Sequence, residues 1–198
     1  MDWATVGKAA AIFAVTNIDD LVVLAVFFGP ASRTRSGVAR VIVGQYLGFA
    51  AILAVSVIGA FGANLLPASA IPYLGLVPLL LGLRAARRLW RERAQDDPAA
   101  VGSARGAGGM QVAAVTFANG GDNISLYVPV FALADVLGTA TYMGVFLLGV
   151  GLWCVAGWFF ATRQAVAALL ARWSHIILPV VLIGIGSTIL IEAGAFGL

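Results

Sequence analysis

The sequence predicts an all-α, polytopic membrane protein: six transmembrane helices in a 3+3 inverted repeat, with both termini outside the cytoplasm. Three observations predict it. Of the 198 residues, 61% are hydrophobic and only 11% are charged, against about 25% charged in an ordinary soluble domain. The apolar residues gather into six runs of the roughly 20 residues that a helix needs to cross ~30 Å of hydrocarbon. The basic residues fall in the connectors between those runs, which is the pattern of membrane topology rather than of a folded basic face. The net charge of +3 therefore gives no reason to expect a nucleic-acid partner; the expected surroundings are a lipid bilayer.

The first run, about 4–28, starts beside Trp3, an interfacial anchor. No basic n-region or small-residue cleavage site precedes it, so it is expected to stay as a helix and not be removed as a signal peptide. The second, about 37–62, contains Gly44-Gln45-Tyr46-Leu47-Gly48, a spacing of small residues that favours close helix packing; Gln45 is placed to reach a polar core. The third, about 68–89, holds Pro78. Between it and the fourth lies "RAARRLWRERAQDDPAAVGSARGAGG", residues 84–109, where charge mixes with Gly, Ala and Ser. It reads as a flexible cytoplasmic linker between repeat 1 (about 1–90) and repeat 2 (about 110–198) of one transporter-like transmembrane domain. The fourth run, about 110–134, contains "NGGDN". The fifth, about 138–161, holds the single cysteine, Cys154, read as a packed small residue. The sixth, about 174–193, begins at His175, read as interfacial, and holds Pro179. Trp90 and Trp173 fall at run ends like Trp3. One cysteine excludes an intramolecular disulfide and a Cys-cluster metal site.

Orientation follows from the arginines. Eleven of the twelve basic residues lie in connectors one, three and five, and Lys8 alone lies on the opposite face. The positive-inside rule then places both termini outside. Asp2, Asp135 and Glu192 fall on that outer side.

The two polar intramembrane stretches superimpose at an offset of 102 residues, Asn17 on Asn119 and Asp20 on Asp122. Each half holds three runs, so equivalent helices cross in opposite directions. Polar, interrupted helices meeting at the midplane of an inverted repeat are a common transporter layout. On one continuous helix Asn17 and Asp20 share a face, with Asp19 about 100° away. Gly120-Gly121 lowers helix propensity before Asp122, and Pro129 removes a further backbone donor; carbonyls freed there can join side-chain oxygens as ligands. The inventory is Asn17, Asp19, Asp20, Asn119, Asp122 and Asn123, with Thr16, Thr116 and Gln45 as supporting groups. All offer oxygen. A carboxylate at the helix centre costs about 2.5–3.5 kcal/mol even on the lenient insertion scale. No Lys or Arg is expected at that depth, so compensation comes from a bound cation or from shared protons. The bland alternative is a hydrogen-bonded structural core with protonated aspartates. Nothing in the chain resembles a phosphate loop, a nucleophilic triad or a nucleotide site, and neither an enzyme nor a resident cofactor is expected.

At these residues the chain resembles the cadmium-resistance transporters of the LysE superfamily. The matches are "TNIDDLVVLAVFF" (16–28), "VGQYLGF" (43–49), "YLGLVPLLLGL" (73–83), "NGGDNISLYVPVFA" (119–132) and "ILPVVLIGIG" (177–186), in family order along almost the whole chain. The resemblance implies an exporter of divalent heavy-metal cations, cadmium above all, in a bacterial plasma membrane, and the 3+3 inverted-repeat fold. It implies that Asn17, Asp19, Asp20, Asn119, Asp122 and Asn123 handle the metal. Cadmium is soft and favours thiolate, whereas this cluster is hard oxygen, so zinc or manganese stay open as substrates, with protons as counter-ion. Three rivals remain at this level. An exporter of amino acids or other small organic solutes, as elsewhere in the superfamily, would want an intramembrane cation for its substrate's carboxylate. An intramembrane aspartyl protease would pair Asp19 or Asp20 with Asp122, but position 119 is Asn where the GxGD signature has Gly. A metal sensor would bind the ion without moving it.

Overall fold

A computed structural model describes residues 3–32, 34–63 and 108–161, with isolated positions between 65 and 87 and between 180 and 191. Pro78, Trp90, Trp173, His175, Pro179 and Glu192 lie outside the described residues, as do most of the runs at 68–89 and 174–193 and nearly all of the linker. The described residues are helical, without strands. In chain order they form α1 (Trp3–Thr16), α2 (Ile18–Ala31), α3 (Arg35–Ala63), α4 (Gly109–Asn119), α5 (Gly121–Leu133) and α6 (Val136–Phe160).

Two of these helices, α3 and α6, are long and apolar enough to cross a membrane, and α1 with α2 makes a third span if the bent pair is counted as one. At ~1.5 Å per residue, the 29 residues of α3 and the 25 of α6 exceed a ~30 Å hydrocarbon core. The remaining two helices, α4 and α5, occupy the fourth apolar run. The order "broken helix, then long helix" thus occurs twice, once in each half.

Each break falls at one residue. In the first run the chain leaves helical geometry at Asn17 (φ −111°, ψ 17°), and the axes of α1 and α2 differ by 57°. The expectation that Asn17 and Asp20 share one helical face assumed a continuous helix, and the break removes it. In the fourth run the break falls at Gly120, whose N–H turns back to Phe117 O at 3.1 Å. A Cβ on Gly120 would strike the side chain of Ile52 on α3, whereas Gly121 has open space around it. Of the two glycines, then, only Gly120 is sterically required. Helix α5 continues through Pro129 to Leu133, so the proline, though it removes one backbone donor, does not end the helix, and the interruption belongs to Gly120.

The packing is reciprocal between the halves. Helix α3 lies against α4 and α5, while α6 lies against α1 and α2. Small residues on the long helices permit this approach. A Cβ on Gly48 would stand 2.6 Å from Ala113 O and 2.7 Å from Thr116 Cβ, and one on Gly157 would stand 2.6 Å from Leu24 Cβ. Gly44 is likewise closed off by the Gly109 carbonyl and Val112. The Gly44–Gly48 spacing is therefore a packing device, as its sequence implies. Gly48→Leu is expected to lower the stability of the folded protein by about 1–3 kcal/mol, because the obstacle is backbone and cannot rotate away. Thermal unfolding of the purified variant in detergent measures it. Beneath these contacts an aromatic core joins Phe13, Phe49, Tyr127, Phe131 and Phe146, with the Tyr127 and Phe146 rings 4.6 Å apart.

Candidate metal centre at two helix breaks

Both interruptions bring polar side chains to the same region, in two linked groups. The first contains the acids. Asp19 and Asp20 occupy the first turn of α2. Asn119, the last residue of α4, donates from Nδ2 to Asp19 Oδ2 at 2.8 Å and to Asp20 Oδ1 at 3.1 Å. Gln45 on α3 donates from Nε2 to Asp20 Oδ2 at 3.1 Å, and its own Oε1 accepts from the Thr116 hydroxyl at 2.6 Å. Both oxygens of Asp20 therefore accept from amides. The group has depth: Asn119 is exposed and Asp19 half-buried, while Asp20, Gln45 and Thr116 are buried.

The second group is uncharged and sits at the first break. Asn17 donates from Nδ2 to Phe13 O (2.9 Å), Thr16 Oγ1 (2.9 Å) and Tyr127 Oη (3.0 Å). Its Oδ1 accepts from Asn123 Nδ2 at 2.9 Å, and its backbone carbonyl accepts from Trp153 Nε1 at 2.6 Å. The Thr16 hydroxyl donates to Ile12 O at 2.9 Å and lies 3.2 Å from the Tyr127 hydroxyl. Asn17 is thus the hub. Its orientation is fixed by three acceptors on its nitrogen, which in turn fixes Asn123 with nitrogen toward Asn17. Among the described residues Asn123 Oδ1 is buried with no hydrogen-bond partner, a position that costs about 1–3 kcal/mol.

Asp122 stands apart from both groups. It is half-buried in the first turn of α5, and its backbone carbonyl accepts from Ser125 Oγ at 2.7 Å. Among the described residues no set of three or more His, Cys, Asp or Glu side chains comes close enough together to hold a metal ion. The structure thus joins Asp19, Asp20 and Asn119 directly, with Gln45 and Thr116 behind them. Asn17, Asn123 and Thr16 belong to the neighbouring uncharged hub, and the Asp122 side chain is hydrogen-bonded to neither group among the described residues. Cys154 is buried, in keeping with a packing role.

Sequence reasoning missed two members, Tyr127 and Trp153. Tyr127 lies four residues after Asn123, on the same face of α5. Trp153 is near the middle of an apolar helix rather than at its end, where an indole N–H must find an acceptor. That depth was the available signal.

Chemically, the acidic group is a set of hard oxygen donors at a break in a membrane helix, at present bonded to amide N–H groups. Searches among curated proteins and among solved structures returned no match. The family described as "cadmium resistance transporter" matches residues 13–198, which include both breaks and every residue of the two groups except Ile12. By that match, the chain belongs to the cadmium resistance transporter family.

Proposed function

We propose that this protein exports divalent metal cations, cadmium foremost, from the bacterial cytoplasm across the plasma membrane in exchange for protons. One observation carries the reading beyond the family: two adjacent carboxylates, one of them buried, start a helix at a break within an apolar run, and among the described residues they are bonded by side-chain amides alone apart from one local backbone N–H. Intramembrane acids of this kind are costly and serve ion or proton pathways by default. A cation offers them the compensation that amides give only in part.

In the proposed cycle, metal enters from the cytoplasm and binds Asp19 and Asp20, displacing protons. Asp122, on the other broken pair, completes the charge as the two halves move. Outward opening releases the metal and lets the carboxylates take protons again. The reciprocal packing of long and broken helices suits a 3+3 inverted repeat that rocks about its centre, with the arginine-rich connectors inside and both termini outside. The hard oxygen set leaves room for zinc or manganese beside cadmium.

Purified protein in proteoliposomes, challenged with Cd, Zn, Mn, Co and Ca in turn, tests substrate and coupling together. Accumulation of cadmium accompanied by loss of protons from the lumen, read as a rise in internal pH, is expected. Asp122→Asn is expected to lower both fluxes at least about tenfold, by removing one of the charges that the ion meets. Metal and proton fluxes unaltered by that substitution would exclude the mechanism.

A further inference from the structure

The two breaks are held in different ways. The second is self-contained: the Gly120 N–H bonds back to Phe117 O at 3.1 Å, and its carbonyl accepts from Ile124 N at 2.9 Å. The first lies in a stretch, residues 8–28, that contains neither glycine nor proline. Sharp kinks come from those residues, from an extra residue in a turn, or from a side chain inserted into the ladder of backbone bonds. Inserted side chains are present here. Those of Thr16 and Asn17 bond back to Ile12 O and Phe13 O, which bends a helix locally. The ladder still reaches Asn17, whose backbone N–H bonds to Phe13 O at 3.1 Å. Its carbonyl is the group that turns away: ψ at Asn17 is 17°, about 60° from the helical value. There the indole N–H of Trp153, on α6, donates to it at 2.6 Å. Asp19 and Asp20 follow in the next turn, so the peptide that the indole holds sets the direction in which that turn sets out.

We infer that Trp153 is a positioning residue for the acids: its indole N–H, supplied by the second half, keeps the first run broken at Asn17, and the break is a hinge that straightens when α6 moves away. This inference rests on the reading of the acidic group as the metal site. Straightening the run carries Asp19 and Asp20 away from Asn119 on α4 and Gln45 on α3, their present partners. Movement of α6 against α1 and α2 is thereby felt at the two carboxylates, although α6 does not touch the ion. Release follows from loss of the bent state. A cation that needs both acids in one place binds only the fraction of molecules that hold them there.

The test measures the bend itself. Nitroxide labels at Lys8→Cys and Ser32→Cys, exposed positions on α1 and just after α2, report it by double electron–electron resonance on the full chain in nanodiscs. Cys154→Ala removes the one native thiol. Undoing the 57° bend lengthens the separation by about 4 Å, at a rise of ~1.5 Å per residue. Trp153→Phe removes the N–H and keeps most of the ring. Without cadmium this variant is expected to add a population about 4 Å longer than the wild-type distance, and saturating cadmium is expected to draw it back. Its cadmium Kd, by isothermal titration calorimetry, is expected to rise by up to about tenfold, the scale of one hydrogen bond. A merely structural role lowers the unfolding temperature and leaves distance and Kd where they were. An unchanged distance in Trp153→Phe would overturn the hinge; a longer population that binds cadmium without shortening would overturn its coupling to the acids. Asp20→Asn separates the two levels. If it leaves cadmium binding intact, the metal-site reading fails, whereas the cadmium-free distance in Trp153→Phe judges the hinge by itself. Tyr127→Phe removes another bond that the second half makes to Asn17 and is expected to lengthen the distance in a smaller share of molecules. It serves as the test if Trp153→Phe is not recovered folded.

Discussion

Asp20→Asn is expected to abolish cadmium efflux while making the empty protein more stable. The loss follows from position. Asp20 is the deepest acid of the group, and removing its charge takes away the main attraction for a dication at that depth. Disturbing groups that merely support metal ligands costs 10–100-fold in affinity or activity, so losing a direct ligand is expected to cost about 100-fold or more. The gain in stability has a separate origin. A buried carboxylate is costly to keep within a membrane helix, on the scale of about 2.5–3.5 kcal/mol for insertion, whereas an amide of the same shape is cheaper. The hydrogen bonds can be kept. Asn119 still donates to the remaining oxygen, and a half-turn of the Gln45 amide, with the Thr116 hydroxyl becoming the acceptor, satisfies the new N–H. Efflux from proteoliposomes and thermal unfolding in detergent should therefore move in opposite directions. A variant that loses both would indicate that Asp20 is chiefly structural.

Asn17→Leu is expected to have the largest effect on folding. The side chain makes four hydrogen bonds, to Phe13 O, Thr16 Oγ1, Tyr127 Oη and Asn123 Nδ2. Leucine has the same branching with somewhat more bulk, but the amide of Asn123 would then lose the hydrogen bond it makes to Asn17, and its oxygen already has none among the described residues. Tyr127 would keep Thr16 alone. Each orphaned buried group costs about 1–3 kcal/mol, so the total is expected to be about 3–5 kcal/mol, at the upper end for a single substitution. Monodispersity on size-exclusion chromatography and the unfolding temperature in detergent check it. Trp153→Phe, which frees one backbone carbonyl and retains most of the ring packing against Phe13, should cost about 1–2 kcal/mol. Equal effects from the two substitutions would argue against Asn17 as the hub.

The sequence carried some of this arrangement and not the rest, for physical reasons. The polar residues within apolar runs were legible because lipid makes each one expensive, and Gln45 stood out on that ground although it is far in the chain from the acids. The interruption at Gly120 was legible because glycine weakens a helix locally. The one at Asn17 was not: its carbonyl is taken by Trp153, 136 residues away, and no local pattern announces a tertiary hydrogen bond. The repeat, read as a symmetry, promised equal roles for Asn17 and Asn119. Their hydrogen bonds differ entirely, since one is enclosed in the hub and the other reaches the carboxylates from an exposed position. Tyr127 and Trp153 were hidden by their apolar bodies, which make an aromatic in a membrane helix look like packing.

The reciprocal packing also bears on how the protein is made. The first broken pair emerges from the ribosome with Asn17, Asp19 and Asp20 already in place, but their partners Asn119, Asn123, Tyr127 and Trp153 follow 99–136 residues later. At about 5–20 residues per second, those partners take roughly 5–30 s to be synthesised. Throughout that interval the pair lacks α6, the long helix it packs against, and among the described residues Gln45 is the partner its acids already have. The contacts of Asn17 with Asn123 and Tyr127, and of the acids with Asn119, can therefore form only after the second broken pair has been made.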